Sequence, residues 1–244
     1  MTIALVGYGK MGKEVDRLAV DRGWSVSLRM TSRSTPPSEK ELAGIDVGIH
    51  FAHPSSVLES VAFWTRAGKR LVIGTTGWTP SLGEVQRMVE KAGTGMIYGA
   101  NFSPGVHLFT RIVQEAASLI DKFPEYDAAI REAHHAQKAD SPSGTALMLG
   151  NVLLERIRRK TEILTTPVSA RIAPHQLQIA SQRVGAVVGT HSLLLDSLSD
   201  TIELTHNAKN RSGFALGALL AAQWISTRTG VHTVEEMMTD LMDH

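Results

Sequence analysis

The groups best able to do chemistry are concentrated in one polar run, Glu132-Ala133-His134-His135-Ala136-Gln137-Lys138-Ala139-Asp140-Ser141-Pro142-Ser143-Gly144-Thr145-Ala146. Histidine titrates near neutrality and can give or take a proton, whereas lysine is a fixed cation. Ser143 has the character of a helix N-cap, so Gly144 and Thr145 would present backbone N–H groups at a helix start, a setting that favours anions. With Lys138 and either histidine, this loop would hold a carboxylated substrate while one group handles a proton. Adjacent histidines, with no cysteine and no histidine one helical turn away, match no usual zinc spacing, so no metal site is expected. Ser141 and Ser143 lack the setting of a nucleophilic serine. Read alone, the run would also pass as a hydrophilic linker before a capped helix.

A second constellation is Gly7-Tyr8-Gly9-Lys10-Met11-Gly12, directly after an apolar strand and opening a helix. The first glycine permits the tight turn, the second lets a pyrophosphate approach the backbone, and the third lets helix and strand pack closely. Gly-rich βα turns without a ligand also exist, and it is the position between strand and helix that favours a dinucleotide. The next strand ends Leu28-Arg29-Met30-Thr31-Ser32-Arg33, with no acid to bond ribose hydroxyls. Its hydroxyls and guanidinium groups, Ser32 and Arg33 above all, suit a 2′-phosphate, so NADPH is expected over NADH. Two later strand ends, Gly74-Thr75-Thr76-Gly77 and Gly99-Ala100-Asn101-Phe102, have the small residues that a flat nicotinamide needs near the backbone.

These sites need elements to position them. The first hundred residues alternate apolar strands (3–6, 25–30, 47–51, 70–73, 95–98) with amphipathic helices (10–21, 55–67, 81–92), a rhythm that predicts a doubly wound parallel sheet. From 102 the rhythm changes: a helix to 121, a strand at 127–132, a helix from 145 to about 160, then strands at 169–173, 177–183, 187–196 and 201–207 without intervening helices. That predicts an inserted α+β domain with a mixed or antiparallel sheet, followed by helices at 213–227 and from 233. The expected division is a Rossmann-type dinucleotide-binding domain, 1–102 and 209–244, around a substrate-binding and oligomerisation domain, 103–208.

The 244 residues, 43% of them apolar, can bury a substantial core, and a formal net charge of +1 gives no basic footprint for nucleic acid. There is no cysteine, which excludes disulfides, thiolate metal sites and cysteine nucleophiles and fits a reducing cytoplasm. The N-terminus reads as a buried strand, not a signal peptide, and the longest apolar stretch, 214–222, is too short to span a bilayer, so no membrane partner is expected.

His134-His135 through Lys138, Asp140 and Pro142-Ser143-Gly144-Thr145-Ala146 closely resemble the signature of the dihydrodipicolinate reductases. The glycine run 7–12, Gly74-Thr75-Thr76-Gly77, Ala100-Asn101-Phe102-Ser103, Arg183-Val184-Gly185, Gly189 and His191 extend the resemblance along nearly the whole chain. It implies an NADH- or NADPH-dependent reduction of 4-hydroxy-tetrahydrodipicolinate to tetrahydrodipicolinate with loss of water. By position, His134 is then the acid/base residue and Lys138 the proton donor or substrate cation. His135, Gly144 and Thr145 would bind the dicarboxylate, and the protein would be a homotetramer. The chain departs from the family at His50-Phe51-Ala52-His53-Pro54 and in the missing acid of the second strand, and it looks shortened between 36 and 43, where a loop is expected. Another two-domain nicotinamide dehydrogenase, or a dinucleotide-binding sensor without turnover, would share the fold.

Overall fold

In the computed structural model, which describes residues 1–165 and 170–243, the chain runs through β1 (Thr2–Val6), α1 (Lys10–Asp21), β2 (Ser25–Met30), α2 (Glu39–Ala43), β3 (Val47–His50), α3 (Val57–Arg66), β4 (Arg70–Ile73), α4 (Leu82–Ala92) and β5 (Gly95–Tyr98). It continues with α5 (Pro104–Ile120), β6 (Asp127–His134), α6 (Gly144–Arg156), β7 (Glu162–Leu164), β8 (Gln176–Arg183), β9 (Gly189–Asp196), β10 (Thr201–Ala208), α7 (Ser212–Ile225), β11 (Gly230–Thr233) and α8 (Val234–Asp243). Two compact units result, Met1–Pro104 with Arg211–His244, and Gly105–Asn210.

The first unit is a parallel sheet in the order β11-β5-β4-β3-β1-β2. Along β1 the pleat sends Ile3 and Leu5 to one face, against Val15, Ala19 and the small residues Ala215, Ala218 and Ala222 of α7. Ala4 faces the other way, into the core formed by Trp64, Leu71 and Val85 under α3 and α4. This doubly wound architecture reverses its strand order at β1, and the glycine loop leaves the carboxyl end of that strand, where open sheets of this type bind ligands. Gly217 lets α7 lie against the chain at Phe102, since a Cβ there would stand 1.6 Å from the Phe102 carbonyl oxygen.

The second unit has a mixed sheet in the order β10-β9-β6-β8-β7, with β9 antiparallel to β6 and β10, and β8 parallel to β6 and β7. Val113 and Ala117 of α5 and Leu149 and Leu153 of α6 share a buried core with Ile130, Ile179, Leu193 and Leu195. Along β6 the buried side is Ala128, Ile130, Glu132 and His134, so the face that begins as apolar core ends in an acid and a histidine.

Four local expectations differ from the structure. Residues 39–43 are a short helix, not a loop, because Ser38 and Glu41 form a capping box (Glu41 N to Ser38 Oγ 3.4 Å, Ser38 N to Glu41 Oε2 2.8 Å). The strand expected at 169–173 is irregular over 170–173, and position 169 lies outside the described residues. Helix α6 stops at Arg156, and buried Lys160 instead reaches Asp127 (2.5 Å) and the Gln176 carbonyl (2.7 Å). The short strands β7 and β11 were not expected, and each adds an edge to its sheet.

Candidate active site

In the first unit, Gly7 has φ +96°, and a Cβ there would stand 2.2 Å from the Phe51 carbonyl oxygen. A Cβ on Gly12 would stand 2.3 Å from the Gly7 carbonyl oxygen, so this glycine closes the turn onto the helix. Gly9 is different: it is the N-cap of α1, no side chain caps the helix, and a Cβ would meet nothing within 4 Å. The turn is held by Gly7 N and Tyr8 N, both donating to the Met30 carbonyl (3.0 and 3.1 Å), and it leaves Gly9 and Lys10 exposed and Met11 half-buried. An uncapped helix start behind an open glycine turn fits the pyrophosphate of a dinucleotide.

Arg29 does not face that opening as a free cation. Its Nε and Nη2 clamp Asp16 of α1 (2.6 and 2.8 Å), and the Tyr8 hydroxyl donates to the same carboxylate (2.5 Å). The Arg29 guanidinium holds the Asp16 carboxyl below its ordinary range. Ser32 and Arg33 remain exposed on the turn after β2, where Arg33 N donates to Thr31 Oγ1 (3.3 Å). At the β4 end, a Cβ on Gly74 would strike the Phe51 ring at 2.0 Å, and the buried Thr75 hydroxyl bonds His50 Nδ1 (2.9 Å) and Ala52 N (3.0 Å), leaving Thr76 exposed. At the β5 end, Gly99 abuts Val234, Ala100 is exposed, Asn101 Oδ1 accepts from Ser103 N (2.9 Å), and Phe102 is buried edge-on to Phe51. Thr75 and Phe102 therefore shape the strand ends from within, while Lys10, Ser32, Arg33 and Thr76 point side chains outward.

In the second unit, the end of β6 is the centre of one bonded network. His134 Nδ1 makes a short hydrogen bond to Glu132 Oε2, and Glu132 is fully buried. The other carboxylate oxygen, Oε1, accepts from Arg183 Nη1 (2.8 Å) and, at 3.4 Å, from Ser143 N. Arg183 Nη2 continues to the Asp140 carbonyl (2.5 Å), and the Asp140 carboxylate holds Lys138 Nζ through both oxygens (2.6 and 2.9 Å). Ser143 caps α6, its Oγ accepting from Ala146 N (3.2 Å) and bonding His191 Nε2 (3.1 Å). Gly144, exposed, and Thr145, half-buried, form the first turn of α6, while half-buried His135 begins the turn closed by Lys138 N.

Electrostatics follow from burial. His191 is pushed down to about 4 by burial, to which a proton on His134 and the Lys138 ammonium add. His134 is lowered for the same reason, although Glu132 pulls the other way. Burial opposes the charge of Glu132, but the hydrogen bonds it receives outweigh that and hold its carboxyl below the ordinary range. Donor atoms of Glu132, His134 and His191 lie within 4.8 Å of one another, the reach of a single cation. Both Glu132 oxygens are nevertheless already committed to protein donors.

Thus His134, Lys138 and the α6 start are joined by bonds through Glu132 and Arg183, with His191 on Ser143, three residues that the sequence places in its motifs without giving them a role. Register brings them in: Arg183 pairs with His134 across β6 and β8, and His191 with Glu132 across β6 and β9. The period-two burial of 128, 130, 132 and 134 was the signal that could have found Glu132.

The family description "Dihydrodipicolinate reductase, N-terminus" matches residues 1–102, and "Dihydrodipicolinate reductase, C-terminus" matches 105–238. A 4-hydroxy-tetrahydrodipicolinate reductase of Christiangramia forsetii is 33% identical over 241 residues, 99% of each chain. One from Chromobacterium violaceum is 35% identical over 202 residues, 81% of this chain and 74% of its own. Among solved structures, the dipicolinate-bound dihydrodipicolinate reductase from Paenisporosarcina sp. TG-14 has the same fold, with a TM-score of 0.75, 23% identity and coverage of 97% and 98%.

Proposed function

The chain belongs to the dihydrodipicolinate reductase family, and from that premise we propose that it is the oxidoreductase converting 4-hydroxy-tetrahydrodipicolinate to tetrahydrodipicolinate on the diaminopimelate route to lysine. One substrate, one NAD(P)H and one proton give tetrahydrodipicolinate, NAD(P)+ and water. When bound, the reduced nicotinamide supplies the hydride. Everything else falls to the protein. Gly7, Gly9, Gly12 and the start of α1 would hold the pyrophosphate, for which the open, uncapped turn at Gly9 is the fitting observation.

The single observation that carries the substrate site is the bonded network running from His134 through Glu132 and Arg183 to Asp140 and Lys138, with Ser143 of α6 on the same carboxylate. His134 handles the proton. Lys138, His135 and the first turn of α6 at Gly144 and Thr145 hold the two carboxylates, a substrate carboxylate displacing Asp140 from the ammonium. Ser32 and Arg33, exposed beyond β2 with no acid at that strand end, favour NADPH. A homotetramer is supported by the edge strand β10, whose Ile202 is exposed, and a cytoplasmic site by the lack of cysteine. Among the described residues no helix is long and apolar enough to cross a membrane.

Dipicolinate tests the site directly. It is expected to compete with substrate, and Lys138→Ala to weaken it by at least about tenfold, the worth of one charge-assisted hydrogen bond. Unchanged dipicolinate affinity in that variant would remove Lys138 from the site.

A further inference from the structure

We propose that Glu132 is the positioning residue for His134: it fixes the imidazole with its proton on Nδ1 and Nε2 free, and ties that orientation to Arg183 and to the start of α6. The inference rests on the reading of His134 as the group that handles the proton. Glu132 and His134 are two residues apart on β6 and so share its buried face. Arg183 Nη1 and Ser143 N occupy Oε1, which leaves Oε2 for His134 Nδ1. An ionised carboxylate has no proton to give, so the bond requires the proton on Nδ1. Nε2 then carries the lone pair. It lies over Gly189, where a Cβ would stand 3.0 Å from that nitrogen, so this glycine leaves the ring its room.

The charged and titratable groups around His134 are Glu132 on its own strand, Lys138 on the loop, Arg183 on β8 and His191 on β9, whose ring meets it edge-on at 5.1 Å. His191 is buried and neutral. Of the four groups, Glu132 alone favours an imidazolium on His134. When Nε2 takes a proton to deliver it, Glu132 accepts from Nδ1–H throughout and opposes, in part, the burial and the two cations. A buried acid paired to arginine adds little stability compared with an apolar pair, which is consistent with a role in orientation.

Two measurements test this. In the full-length enzyme, Glu132→Gln is expected to leave nucleotide affinity within about twofold, lower kcat by roughly ten- to a hundredfold, part of what a positioned proton-transfer group contributes, and move the falling limb of the kcat profile to lower pH. An unmoved profile with kcat within about twofold would overturn the proposal. Should that variant not fold, ¹⁵N imidazole spectra of the wild-type protein decide: a proton on Nδ1 of His134 is expected, and a proton on Nε2 alone overturns it. The spectra need no turnover, so failure of the reductase reading and failure of this inference are separable.

Discussion

A buried histidine resists protonation, and a histidine that must donate a proton needs help to become charged. His134 meets both conditions, lowered by burial and supported by Glu132. If imidazolium is the working acid, it is lost as pH rises through a value below the ordinary 6.5, so kcat is expected to fall with rising pH from the acid side of neutrality. A flat profile from pH 5 to 8 would take His134 out of the proton step. Replacing His134 with Gln is expected to lower kcat by about a hundredfold to ten-thousandfold while nucleotide affinity, measured by titration calorimetry, stays unchanged. At this scale the sequence showed His134, Lys138 and the Gly144-Thr145 helix start because they are neighbours along the chain. Arg183 reaches Glu132 from 51 positions away across paired strands, and His191 reaches the Ser143 helix cap from 48, contacts that no local pattern displays. The same limit explains Arg29. Its partner Asp16 lies on the next face of α1, so a guanidinium that looked free for phosphate is clamped to the helix.

At the scale of elements, the helix starts carry the chemistry. Ser143 both caps α6 and holds His191, so Ser143→Ala is expected to cost about 1 kcal/mol or somewhat more. Thermal melts would show it as a lowered midpoint. Gly12→Ala would force a Cβ to within 2.3 Å of a backbone oxygen, so the turn must shift. The expected result is weaker NADPH binding and a smaller rise in melting temperature on adding NADPH; an undiminished rise would show that the turn does not hold the nucleotide. In the first unit β1 to β5, α1, α3 and α4 were legible because their periodicity is strong and their boundaries carry Gly, Ser and Pro. β7 and β11, three and four residues long, hold no period of their own and exist through pairing with β8 and β5. The helix at 39–43 was signalled by Ser38 and Glu41 three positions apart, and the apparent shortening of the segment hid that signal.

At the scale of the molecule, a buried histidine in each unit, His50 in the first and His191 in the second, is pushed down to about 4 by burial. In the unfolded chain both titrate near 6.5, so between these values the unfolded state binds more protons. The stability that these two histidines contribute by staying neutral is therefore complete above pH 6.5 and is lost as pH falls from 6.5 through 4. Melting temperatures over that window are expected to fall with pH, and less steeply in the His50→Gln, His191→Gln double variant. The most direct test of the reductase assignment is turnover of its substrate, 4-hydroxy-tetrahydrodipicolinate generated in place by the upstream synthase, followed as loss of reduced-nicotinamide absorbance with NADPH and NADH in separate reactions. The expected result is oxidation of both cofactors, with the higher kcat/KM for NADPH. A folded protein that binds nucleotide yet oxidises neither in the presence of substrate would contradict it.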